Sequence, residues 1–128
     1  MTIHKLANQK TYQRGVTAEK IAAAWMRFKG YKILEQRYKT AVGEIDLIAR
    51  RENLMVFIEV KARRTKAEAL ESITPSMRAR IKNVALYYIS HHHVEGCDMR
   101  FDVVAITPLR LGDMIRARFC IHHLDNAW

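Results

Sequence analysis

Cysteine is nearly absent from this chain: Cys97 and Cys120 are the two present among 128 residues. Two cysteines cannot build the multi-bridge framework of a small secreted domain, and neither stands at zinc-finger spacing. Both are therefore expected to be reduced and buried. Proline is as scarce, with two, and glycine numbers five. No low-complexity tract, internal repeat or interdomain linker breaks the sequence. No run approaches the roughly 20 consecutive apolar residues of a membrane span. Met1 to Arg14 is polar and lacks an apolar segment of signal-peptide length. These absences lead to the expectation of a cytoplasmic protein without a membrane anchor. Acidic residues are the last shortage: 13 Asp and Glu face 22 Lys and Arg, a net charge of +9. Such a balance favours a polyanionic partner. Nucleic acid comes before an anionic membrane surface, because no strongly amphipathic basic helix stands out.

What is present fits one domain. The length is that of a single domain, and 49% apolar residues suffice for one core. Residues 1–14 carry Lys5, Lys10 and Arg14 with few large apolar side chains and are expected to form a flexible arm, leaving 15–128 as the domain. Ala18, Ala22, Ala23, Trp25, Met26 and Lys29 recur at helical spacing, with Thr17 as N-cap and Gly30 as the stop. Tyr31–Arg37 reads as a short strand with Tyr31, Ile33 and Glu35 on one face. Gly43–Arg50 and Leu54–Ala62 read as strands joined at a polar turn. Residues 63–72 read as loop or partial helix. Thr74 and Pro75 supply an N-cap and first helical position, and Met77, Ile81, Val84, Ala85 and Tyr88 carry that helix to about His91. Phe101–Ile106 is a strand stopped by Thr107-Pro108, and Ile115–Ile121 a last strand before a short helix or coil. The order of elements predicts an α/β fold with one mixed β-sheet flanked by α-helices.

Two carboxylates and an ammonium lie inside the two most apolar strands. Asp46 sits in Gly43-Glu44-Ile45-Asp46-Leu47-Ile48, and Glu59 and Lys61 in Val56-Phe57-Ile58-Glu59-Val60-Lys61. Burying an unpaired carboxylate is expensive, so such residues point to a use. If the strands form a hairpin with Glu52-Asn53 at its tip, Asp46 falls across from Glu59 and Glu44 from Lys61. Directly opposed residues share a face, with Cβ atoms about 4.5–5.5 Å apart. Two carboxylates that close repel each other unless a cation lies between them, and hard oxygen ligands suit Mg²⁺ or Mn²⁺. Lys61, two residues beyond Glu59, would share that face and orient a water or neutralise phosphate charge. Glu19, at the edge of the first helix's apolar stripe, offers a third acid. These parts match phosphodiester hydrolysis, which needs an activated water and charge neutralisation.

At these residues the chain resembles the YraN-like family of small bacterial proteins, predicted nucleases related to archaeal Holliday junction resolvases. The wider group is the PD-(D/E)xK, restriction-endonuclease-like superfamily. The resemblance runs from about Gly15 to Trp128. It includes Ala18-Glu19, Gly30-Tyr31-Lys32-Ile33-Leu34, both strand motifs, Arg100-Phe101-Asp102-Val103-Val104-Ala105-Ile106 and Asn126-Ala127. It implies a restriction-endonuclease-like mixed sheet flanked by helices. It further implies Asp46, Glu59 and the carbonyl of Val60 as metal ligands, Lys61 as catalytic lysine and Glu19 as a helix-borne acid. A homodimer is implied by the resolvase relatives. The chain departs from the family pattern at Ala18, where glycine is common, and at Met77, where lysine is.

Lys61, Arg63, Arg64 and Lys66 follow the acidic pair, and Arg78, Arg80 and Lys82 lie on the next helix. Both groups are expected to grip backbone phosphates. No base-reading pattern is present, so sequence-specific reading is not expected; the resemblance to resolvases makes DNA, branched or otherwise structured, the expected partner. His91-His92-His93 and His122-His123 are not expected to bind zinc, because adjacent histidines are poor joint ligands. Tyr87 and Tyr88 read as packing and surface residues. The sequence thus predicts a Mg²⁺- or Mn²⁺-dependent endonuclease. The alternative is a non-catalytic nucleic-acid-binding module that keeps the nuclease fold and depends on a partner.

Overall fold

The structure, a computed structural model, describes residues 17–94, 96–111 and 114–128. The expected arm over residues 1–14 lies outside them. Five strands form one sheet in chain order: β1 (Lys32–Thr40), β2 (Gly43–Arg51), β3 (Leu54–Ala62), β4 (Asp98–Leu111) and β5 (Met114–Leu124). Neighbours are antiparallel except β3 and β4, which are parallel. A parallel pair needs a long crossover. Here the crossover holds two helices, α2 (Lys66–Glu71) and α3 (Pro75–His91). A helix over residues 17–28, α1, precedes the sheet. The mixed sheet flanked by helices is therefore present. No helix among the described residues is long and apolar enough to cross a membrane.

The period-two alternation of β3 divides the core. Val56, Ile58 and Val60 pack with Leu47, Ala49, Val104 and Ile106 against Ala18, Ala22, Ala23 and Met26 of α1. Met55 and Phe57 point the other way and pack with Ile45 and Ile48 against Ile81, Val84, Ala85 and Tyr88 of α3. Each large apolar side chain so buried contributes about 1.5–3 kcal/mol. Three alanines on one face of α1 let its backbone come close to the sheet, which brings Glu19 over the strands.

Gly30 ends α1 as expected. Its φ of +93° suits glycine, its N–H donates to the Arg27 carbonyl, and the Tyr31 N–H reaches back to Met26, both at 3.0 Å. That is a Schellman closure, and Tyr31 and Met26 supply its apolar contact. Thr17 is already helical rather than the cap. Thr74 caps α3 as expected, accepting from the Met77 N–H at 3.2 Å with Pro75 following. Met77 is half-buried against the α3 cluster.

Other expectations need correction. β1 runs on to Thr40, and a bulge between Ile33 and Glu35 breaks its alternation. Tyr31 and Ile33 pack on the α1 side, whereas the Glu35 charge acts on Tyr38 and Tyr88 of the α3 side. Residues 66–71 form a true short helix, because Thr65 caps it by accepting from the Glu68 N–H at 3.1 Å. β4 is not stopped by Thr107-Pro108. Its pairing with β3 ends at Ile106, so Pro108 has a strand neighbour on one side only. There a missing N–H is tolerated, and a second bulge follows between Pro108 and Arg110. β5 extends from Met114 to Leu124, and the chain ends in coil pinned by the Ala127 N–H on the Phe101 carbonyl at 2.8 Å. Cys97 and Cys120 are free but half-buried rather than buried.

Candidate functional site

The β2–β3 hairpin adopts the register that its apolar pattern dictates. Arg51 pairs with Leu54, Arg50 with Met55, Ala49 with Val56, Ile48 with Phe57 and Leu47 with Ile58. Glu52 at the tip takes the positive φ, 53°, that a two-residue turn requires of one of its residues. The ladder then stops one pair short of Asp46 and Glu59. Continued, it would also have placed Glu44 against Lys61, and that pairing is not made.

Carboxylates fill the gap where the ladder ends. The Val60 N–H donates to Asp46 Oδ2 at 2.8 Å, and the Asp46 N–H points at Glu59 Oε1 at 3.4 Å. Each side chain thus stands where a backbone carbonyl of the opposite strand would accept. The apolar alternation of β2 breaks at the same place, since Ile45 joins the α3 cluster and Leu47 the α1 cluster. The Asp46 and Glu59 carboxyls consequently lie within hydrogen-bonding reach of each other, and Glu59 is 4% exposed.

Charge is poorly compensated there. Burial pushes both carboxyls above their ordinary values, and at Glu59 the Asp46 charge adds to the effect. The Val60 N–H and the Lys61 charge oppose the rise at Asp46, and Lys61 opposes it at Glu59. Glu19 reaches the same group from α1. Burial first and the Asp46 charge second raise it to about 7, against the pull of Arg37. The Arg37 guanidinium lies 3.7 Å from Glu19. The structure therefore brings together Glu19, Asp46, Glu59 and Lys61. It adds two residues that the sequence reading did not assign: Arg37, and the exposed Glu44, whose charge acts on Glu19 and Asp46. Arg37 has a φ of +54° opposite the Asp46 irregularity, which no sequence pattern announces.

The basic residues divide by role. Arg63, Arg64, Lys66, Arg80 and Lys82 are exposed. Arg64 is 3.4 Å from Glu68. Arg80 lies at the Asp46 end of β2: a Cβ on Gly43 would come within 2.9 Å of its Cδ, so the glycine makes room for its stem. Arg78 is half-buried, with its guanidinium over the Trp128 ring at 5.8 Å, and it holds the chain end. Tyr87 is exposed and stacks on His91, while Tyr88 is buried and stacks on His92. Among the described residues, no three His, Cys, Asp or Glu side chains form a metal-holding group.

A second buried acid lies on β4. Asp102 is 0% exposed. It accepts from Arg100 through both oxygens at 2.8 and 2.7 Å, from His123 Nε2 at 2.7 Å and from the Asn126 N–H at 3.0 Å. Burial alone would raise its carboxyl, but the bonds from His123, Arg100 and Asn126 outweigh burial and hold it below the ordinary range. Arg100 also donates to the Tyr31 hydroxyl at 2.9 Å. Lys29 Nζ lies 2.6 Å from His123 Nδ1. With the ammonium donating, Nδ1 accepts and Nε2 carries the proton toward Asp102. This network joins the turn after α1, β4, β5 and the chain end and is structural in character. The spacing of two between Arg100 and Asp102 was its one sequence signal.

The chain matches the family described as "Uncharacterised protein family UPF0102" over residues 18–106. A UPF0102 protein of Bartonella tribocorum is 47% identical over 119 residues, 92% of each chain. One from Paramagnetospirillum magneticum is 39% identical over 127 residues, covering 95% of this chain and 92% of its own. One from Maricaulis maris is 47% identical over 108 residues, covering 81% and 83%. The matched span begins one residue before Glu19 and contains both site strands and Asp102. On this match and these identities, the chain belongs to the UPF0102 family.

Proposed function

We propose that this protein is a metal-dependent endonuclease of restriction-endonuclease-like fold, acting on DNA that is branched or otherwise structured. One observation carries the reading: β2 and β3 part at Asp46 and Glu59, and a half-buried and a buried carboxyl stand side by side in the gap, within reach of the Lys61 charge. The fit to a hard divalent cation rests on the donor set. Two adjacent carboxyls and the neighbouring Val60 carbonyl are oxygen donors, and Mg²⁺ habitually keeps several waters besides. When bound, Mg²⁺ or Mn²⁺ would neutralise phosphoryl charge and acidify a water.

The chain's own groups do the rest. Lys61, half-buried near both carboxyls, orients the attacking water and offsets charge on the scissile phosphate. Glu19, at about 7, exchanges a proton near neutral pH, and Arg37 fixes its position. Arg63, Arg64, Lys66, Arg80 and Lys82 hold backbone phosphates from the exposed side of this end of the sheet. The test is a panel of linear, flap and four-way DNA with Mg²⁺ or Mn²⁺. Wild type is expected to cut at least one substrate, and Asp46→Ala and Lys61→Ala to bind it without cutting. Binding without cleavage by wild type would leave the alternative, a non-catalytic nucleic-acid-binding module.

A further inference from the structure

The hairpin tip lies at the far end of β2 from Asp46, about 17 Å away for five residues of strand. An open cleft of about 490 Å³ sits there, lined by Gly30, Lys32, Leu34, Arg50, Arg51 and Glu52. Three of its six lining residues are cations. None of the three forms an ion pair among the described residues, although Arg37, Arg64 and Arg100 each do. The Arg51 guanidinium is held flat, 4.3 Å over the Tyr31 ring, and donates to the Lys29 carbonyl at 3.4 Å. Arg50 uses its Nε–H on the Glu52 carbonyl at 3.0 Å, which orients the terminal nitrogens without neutralising the charge. Among the described residues, Lys32 has no side-chain hydrogen-bond partner. Two oriented guanidiniums and an ammonium outnumber the one carboxylate, Glu52, around this concavity, and the surplus positive charge favours an anion there. Forked guanidinium donors match phosphate oxygens.

From this geometry we infer that the Lys32–Arg50–Arg51 cleft is a second anchoring site for a phosphodiester backbone. It rests on the reading of the protein as one that binds nucleic acid, but on no property of the Asp46–Glu59 pair. Two anchors about 17 Å apart correspond to roughly five base pairs of rise at 3.4 Å each. The cleft therefore engages substrate away from the scissile bond and fixes its direction along β2.

The experiment is binding of a fluorescein-labelled 20-base-pair duplex in EDTA over a range of salt concentrations, with wild type, Lys32→Gln and Arg50→Gln. Arg51 is left in place because it packs on Tyr31. Each variant is expected to bind more weakly and to lower the slope of log K against log salt by about 1, as for loss of one phosphate contact. Unchanged affinity and slope in both variants, with wild type binding, would overturn the cleft and leave the nucleic-acid reading standing. No binding by wild type would remove both. Vesicles rich in phosphatidylglycerol form a second arm: binding there that depends on Lys32 and Arg50, with DNA binding unaffected, would overturn the cleft as a nucleic-acid site.

Discussion

Glu59 and Asp102 are both buried carboxylates on adjacent, parallel strands, and Asp102 is in register with Ile58, the residue before Glu59. Their surroundings differ in one respect. Asp102 meets a guanidinium through both oxygens, an imidazole N–H and a backbone N–H, and its acidity is strengthened despite full burial. Glu59 meets another carboxyl and a long bond from one N–H, with the Lys61 charge opposing its rise. Buried charge costs several kcal/mol unless paired and hydrogen-bonded. The fold meets that need at Asp102 with its own residues and leaves it unmet at Asp46 and Glu59. A complete network locks structure; an incomplete one is what the proposed metal site requires.

The comparison breaks first at Asp102. Asp102→Asn leaves the Arg100 guanidinium without its carboxylate, and stability is expected to fall by about 3–5 kcal/mol, read as a lower urea midpoint. A loss under 1 kcal/mol would mean the network is ornamental. The opposite sign is expected at Glu59. In EDTA at pH 8, Glu59→Gln removes a charge that the folded state disfavours. It is expected to raise stability by on the order of 1–2 kcal/mol, since a single unit of pKa shift is about 1.4 kcal/mol.

The two acids also predict a pH profile. Asp102 is lowered on folding, so its contribution is present above the ordinary value of 3.8 and fades as pH falls below it. Glu59 and Glu19 are raised, so the folded chain holds protons that the unfolded chain has lost above 4.5. Stability of the metal-free protein should therefore decline as pH rises above about 4.5, the Glu19 part ending near 7 and the Glu59 part continuing beyond it. Urea midpoints from pH 3 to 9 measure both limbs. Mn²⁺ is expected to flatten the alkaline limb and leave the acid limb alone. The smallest effect belongs to Arg64→Ala: its exposed pair with Glu68 is worth about 0.5 kcal/mol or less. A larger loss would show that surface pairs matter here as much as buried ones.

The sequence reveals these two regions unequally, for physical reasons. The hairpin register was legible because Leu47, Ile58 and their neighbours alternate, and a slip of one would turn every apolar side chain outward. The closeness of Asp46 and Glu59 followed from that register. The end of the ladder did not, because a carboxylate replacing a carbonyl leaves no mark on periodicity. Local signals fared well where chemistry is local, as at Thr74-Pro75 and Gly30, while the Thr65 cap, followed by a single turn or so of helix, was too slight a pattern to read. Pro108 misled because its tolerance depends on which strands flank it. The Asp102 network was the least legible, since Lys29 and His123 lie 94 residues apart and meet through the tertiary fold alone.

The central claim is that the carboxyl pair between β2 and β3 is incomplete without a divalent cation. Calorimetric titration of the protein with Mn²⁺ at pH 7, repeated in buffers of different ionisation heat, measures binding and proton release together. The expected result is saturable binding that releases about one proton and disappears in Asp46→Asn and Glu59→Gln. No binding, or binding unchanged in both variants, would contradict it.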